Sequence, residues 1–133
     1  GGLSGTESAL QLAMDGKKVT VVDQLPVEQF AKDHSPAPRG MLLQLLEKYG
    51  VELVGGVRVC GINDDGVVVM AQDGTKSVIQ CDDVVAAFGM RKNDALLKQL
   101  RALMPDVVAV GDCDVVKNIK NANQIAFNMA LEV

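Results

Sequence analysis

The chain opens on Gly1-Gly2-Leu3-Ser4-Gly5, and one helix-length later reaches Lys18-Val19-Thr20-Val21-Val22-Asp23. Gly2 and Gly5 fit the last two glycines of a G-x-G-x-x-G turn, with Gly1 at the variable position between the first two. The first glycine of that pattern is expected before residue 1. Lacking a β-carbon, Gly2 lets backbone approach a pyrophosphate, and Gly5 lets the following helix pack closely on a sheet. Unpaired N–H groups and the positive end of the helix dipole stabilise an anion at that point, so Gly1, Gly2, Leu3, Ser4 and Gly5 form the expected phosphate cradle. Asp23 lies about twenty residues further on, at a strand end, where an acid reaches the ribose diol of a dinucleotide. Its carboxylate would accept from the 2′- and 3′-hydroxyls and repel a 2′-phosphate. No Arg follows closely, Lys32 being the first base, so NADH is expected over NADPH. The plainer role of capping the next turn stays open for Asp23.

A second group, Val107-Val108-Ala109-Val110-Gly111-Asp112-Cys113, is an apolar run ending in Gly-Asp. At the carboxyl end of a strand, Gly allows a tight turn and Asp offers an acceptor to a ligand hydroxyl. Taken alone, such an Asp is more often a cap or turn residue.

Other chemistries find no support in the residue types. His34 is the single histidine, and Cys60, Cys81 and Cys113 are scattered and odd in number. Neither a zinc site, a histidine-based triad nor a disulfide framework can be assembled from them. The cysteines are expected as small buried apolar residues in a reducing, cytoplasmic setting. The net charge is −4 with scattered bases, which gives no footprint for nucleic acid, and no apolar run approaches the ~18 residues of a membrane span.

The elements that must position these groups follow from period and punctuation. Of the 133 residues 48% are apolar, and Val, Ala and Leu dominate over aromatics, which suits a buried sheet with flanking helices. A helix is expected from Leu3 to Gly16 and a strand over Val19–Val22. A loop with Pro26 and Pro36 leads to a helix starting at Pro38, with Met41, Leu42, Leu45 and Leu46 on one face and Gly50 as its stop. A strand Val51–Val54 comes next. Three short runs divided by Asn63-Asp64-Asp65-Gly66 and Gln72-Asp73-Gly74 predict an antiparallel three-stranded meander over Val57–Gln80. Val84–Gly89 is expected as a buried strand returning to the parallel sheet. A helix over Asp94–Leu103, a strand over Val107–Val110 and a helix over Asn121–Leu131 complete the order.

In this order and spacing the chain resembles the two-dinucleotide-binding flavoproteins, the pyridine nucleotide-disulfide oxidoreductases and their relatives. It is most like the C-terminal region of NADH:flavin oxidoreductases of the 2,4-dienoyl-CoA reductase, 2-enoate reductase and trimethylamine dehydrogenase type. The pieces that carry the resemblance are Gly2 to Ala9, Lys18 to Asp23, Pro38-Arg39-Gly40, Ala87-Phe88-Gly89-Met90-Arg91-Lys92-Asn93 and Val110-Gly111-Asp112-Cys113.

The resemblance implies an α/β fold in which residues 1–88 form a Rossmann-like NAD(P)H-binding domain, with a parallel sheet and the meander, lacking its first strand. Residues 89–133 would be the C-terminal segment of an FAD-binding domain, with Gly89, Gly111 and Asp112 on the FAD side and Asp112 accepting from the ribityl chain. In the parent protein NADH would pass a hydride to FAD for reduction of an unsaturated substrate such as an enoyl or dienoyl compound. The isolated chain is expected to be inactive, with the remainder of the flavoenzyme as its partner and self-association through uncovered strand edges and apolar faces. The family's redox cysteine pair is absent, as is any cysteine cluster for an iron–sulfur centre. A regulatory NAD(H)-sensing module without catalysis is the alternative.

Overall fold

The computed structural model describes residues 1–132. The chain divides into two compact units, Gly1–Ala87 and the residues from Phe88 onward.

In the first unit, helix α1 (Leu3–Met14) starts after Gly2, whose extended backbone forms the N-cap, and stops ahead of Gly16. Its buried positions Thr6, Ala9 and Ala13 recur at helical spacing and are small, so the helix axis lies close to what it covers. Strand β1 (Thr20–Val22) pairs in parallel with β2 (Glu52–Val54), placing Thr20 beside Glu52 and Val22 beside Val54. Between them runs α2 (Pro36–Lys48), so the order strand, helix, parallel strand is that of a βαβ unit. Helix α2 begins two residues before the expected Pro38, because Pro36 fits the first helical position, where a missing N–H costs nothing. Leu42 and Leu46 point inward, whereas Met41, expected on the same apolar face, is 65% exposed.

The core of this unit joins Ala9, Ala13, Val21, Phe30, Ala31, Leu42, Leu46 and Val51. The meander forms a separate sheet of β3 (Arg58–Asn63), β4 (Gly66–Met70) and β5 (Lys76–Ile79), antiparallel throughout. A bulge at Cys60 shifts the register between Val59 and Gly61. The fold is α/β, with a two-stranded parallel and a three-stranded antiparallel sheet.

Two expected strands are not formed. Residues 84–88 run without regular structure and are exposed, Phe88 at 78%. Residues 107–110 likewise join no sheet, and only Ala109 there is buried. Both segments have the composition of buried strands. A strand exists only through a partner's backbone groups, and among the described residues none lies alongside either segment.

The second unit contains α3 (Ala95–Leu103), a short 3-10 helix Gly111–Cys113 and α4 (Ile119–Ala130). Asn118 caps α4, its side-chain oxygen accepting from the Asn121 N–H at 3.0 Å. The apolar faces here are largely uncovered, with Leu96, Leu103, Ile119 and Phe127 all exposed.

The cysteines depart from the expected burial. Cys60 and Cys81 are exposed and Cys113 is half-buried. Cys60 sits on the bulge of β3, and Cys81 just past the end of β5, so neither position faces a core.

Candidate functional site

The glycine turn is pinned to α1 from within. The Thr6 side chain is fully buried, and its hydroxyl lies 3.0 Å from the Gly2 carbonyl oxygen and 2.9 Å from that of Leu3. The Thr6 N–H also donates to the Gly2 oxygen at 3.0 Å, starting the helical ladder. No acidic side chain lies in the first turn of α1 and no side chain caps it, so its leading N–H groups keep their capacity for an anion. Ser4 is exposed beside them and Leu3 packs against the core. Glu7 is exposed one turn further in.

Close approach decides two of the glycines. A β-carbon on Gly1 would come within 2.8 Å of Phe30 Cδ1 and 2.9 Å of Asp23 Cβ. The position that the motif treats as variable is therefore closed to side chains, a requirement that only the neighbouring loop imposes. On Gly5 a β-carbon would sit 3.2 Å from Ala87 Cβ, so α1 passes tightly over the exposed segment that ends the first unit.

Asp23 follows β1 directly, its carboxylate turned back towards the glycine turn. Oδ1 accepts from the Leu25 N–H at 2.8 Å, and Oδ2 lies 2.8 Å from the Gly1 nitrogen. The backbone is fixed too, since the Asp23 N–H donates to Val54 and its carbonyl accepts from Val57. Burial pushes the carboxyl up. The Leu25 N–H, the positive Gly1 nitrogen and the Gln24 N–H outweigh that and hold it below the ordinary aspartate value of 3.8. The turn-capping role is thus realised in the Leu25 bond. The side chain nonetheless keeps 22% exposure, and each carboxylate oxygen retains a lone pair for a further donor.

The segment after Asp23 forms a strap beside the glycine turn, and no motif or period in its residues marks it. Phe30 and Ala31 are fully buried, and the Ala31 N–H donates to the Gly1 carbonyl oxygen at 2.7 Å. Ala31 holds a left-handed φ of 52°, unusual for a residue with a side chain. Arg39, in the first turn of α2, reaches back so that its Nε donates to the Phe30 carbonyl at 2.8 Å and its Nη2 to that of Glu28 at 2.5 Å.

The structure therefore brings Gly1, Gly2, Leu3, Ser4, Gly5 and Asp23 to one place. Gly89, Gly111 and Asp112 belong to the second unit. Gly89 lies in an exposed irregular stretch. Gly111 opens the 3-10 helix with a φ of 72° and faces Ala122 of α4, while Asp112 is exposed and its Oδ1 accepts from the Lys117 backbone N–H at 3.4 Å. A shallow groove of about 250 Å³ between α1 and α2, lined by Leu10, Met14, Met41 and Leu45, lies apart from the glycine turn. Among the described residues no cluster of His, Cys, Asp or Glu could hold a metal, and no helix is long and apolar enough to cross a membrane.

The family model described as pyridine nucleotide-disulphide oxidoreductase matches residues 1–126. Bilirubin reductase of Mediterraneibacter gnavus is 38% identical over 86% of this chain, and cinnamate reductase of Clostridium sporogenes 30% identical over all of it. The solved 2-naphthoyl-CoA reductase in complex with 2-naphthoyl-CoA superposes with a TM-score of 0.80 at 29% identity, over 96% of this chain. The chain spans only 17%, 20% and 19% of the lengths of these three proteins.

Proposed function

The chain belongs to the pyridine nucleotide-disulphide oxidoreductase family, and from that premise we propose that it is the nicotinamide-dinucleotide-binding part of a longer NADH-dependent flavin oxidoreductase. The observation that carries this reading is the meeting of the glycine turn, the uncapped start of α1 and Asp23, whose β-carbon lies 2.9 Å from where a Gly1 β-carbon would stand.

Each part has a distinct task. The first-turn N–H groups of α1 bind the pyrophosphate, the missing β-carbon of Gly2 admits it, and Asp23 accepts from the adenosine ribose hydroxyls. A carboxylate held ionised by its amide partners disfavours a 2′-phosphate, which supports NADH over NADPH. When bound, the nicotinamide supplies a hydride, and the protein contributes binding and orientation. Residues 89–133, with Gly89, Gly111 and Asp112, are assigned to the FAD-binding domain of the same parent. Asp112 offers an exposed acceptor to a flavin's ribityl chain.

The names of the relatives support a reaction on an unsaturated acceptor. Their much greater lengths support the view that the substrate site lies outside this chain, leaving the isolated chain without activity. The scattered cysteines fit a reducing cytoplasm. The exposed apolar residues of α3 and α4 support self-association of the chain when it is alone.

Anaerobic titration of the full-length flavoenzyme with NADH and NADPH, followed by bleaching of the flavin band, tests the proposal. NADH is expected to bleach it at lower concentration. Absence of bleaching by either nucleotide would refute the reading.

A further inference from the structure

The strap between β1 and α2 is held in a conformation that its own residues do not favour. Ala31 has a left-handed φ of 52°, a region in which a β-carbon crowds the backbone and which residues other than glycine rarely adopt. Such a residue persists only where its surroundings over-determine it. Here the surroundings are few and specific. Phe30 is fully buried with its ring edge at the place a Gly1 side chain would take, the Ala31 N–H donates to Gly1, and the Arg39 guanidinium bridges the carbonyls of Glu28 and Phe30.

The Arg39 contacts are unusual for a cation. Among the described residues it has no carboxylate partner within ion-pair distance, and the contacts found are to main-chain oxygens on a neighbouring segment. A planar guanidinium can hold two carbonyls at fixed separation with two N–H groups, and the charge strengthens both bonds. Of the two oxygens it joins, that of Glu28 lies within the 3-10 helix Val27–Gln29 and that of Phe30 at its C-cap, so the bridge fixes the strap where this turn ends.

We propose that Arg39 is a positioning residue for dinucleotide binding: by clamping Glu28 and Phe30 it sets the strap that fixes Gly1 and, through it, the spacing between the glycine turn and Asp23. The inference rests on the proposed nucleotide site and adds to it a residue that touches no part of the ligand.

The test uses full-length wild type, Arg39→Met and Arg39→Lys. Three quantities are measured: the NADH dissociation constant, the rate of flavin reduction at saturating NADH, and amide hydrogen exchange across residues 24–35. Arg39→Met is expected to weaken NADH about tenfold and to expose the Ala31 amide to exchange. Protection in α1 and β1 and the saturated reduction rate should be unchanged. Arg39→Lys keeps the charge and loses the fork, so it should recover only part of the affinity. Wild-type protein that fails to bind NADH would overturn the site itself. Wild type that binds, with Arg39→Met binding equally well or keeping Ala31 protected, would overturn the positioning role alone. Global unfolding of both variants would make Arg39 a determinant of the fold and overturn it too.

Discussion

Asp23→Asn separates the two roles that the geometry gives one carboxylate. The amide oxygen of Asn can keep the 2.8 Å bond from Leu25, so the turn survives, while the nitrogen replaces Oδ2 and sets donor against donor at Gly1. For stability this removes one partly buried hydrogen bond to a carboxylate oxygen, worth about 1 kcal/mol. For binding the loss is larger. A hydrogen bond to a charged acceptor contributes about 1.5–3 kcal/mol against about 1 for a neutral one, so two ribose hydroxyls together lose about 1–4 kcal/mol. At 1.4 kcal/mol per decade, NADH should bind about fivefold to several-hundredfold more weakly. NADPH should bind as before or several-fold more tightly, since the repulsion between carboxylate and 2′-phosphate, about 1 kcal/mol for unit charges near 4 Å in water, is gone. Titrating both nucleotides into wild-type and Asp23→Asn full-length enzyme gives the ratio of affinities, and thermal unfolding controls for the fold. An unchanged ratio with an unchanged melting temperature would show that Asp23 is a turn cap only, and the cofactor argument would fall.

Other consequences can be checked on the chain itself. Leu46→Ala empties a fully buried position and should cost about 2–5 kcal/mol in denaturant unfolding, whereas Met41→Ala, on an exposed side chain of the same helix, should cost under about 0.5. The carboxyl of Asp23 lies below its ordinary value of 3.8, so its contribution is present above that pH and is lost as pH falls through the folded value; urea midpoints between about pH 5 and pH 2 should drop less steeply in Asp23→Asn. With Leu103, Ile119 and Phe127 uncovered, light scattering over a dilution series should show concentration-dependent association, and a monodisperse monomer at every concentration would count against it.

Much of this was legible in residue order alone. Local signals determined the helix from Leu3, the strand leading to Asp23, the stop at Gly50 and the Asp-Gly turns of the meander, because each is set by backbone preferences within a few residues. Grouping Gly1 to Gly5 with Asp23 was likewise available, since a βαβ unit brings the start of its helix and the end of its second strand to the same edge. Tertiary structure alone decided the rest. Residues 84–88 and 107–110 have the Val and Ala content of strands, yet strand formation needs a partner's N–H and C=O groups, and no periodicity in the segment itself reports whether one is present. Met41 matches the apolar period of α2 but faces solvent, because burial depends on what lies opposite. The closure of Gly1 to side chains, the left-handed Ala31 and the Arg39 bridge join residues up to 30 positions apart through a fold-dependent crossing of the strap over the glycine turn. Contacts of that kind depend on where the chain returns in space, and the sequence carries no local mark of them.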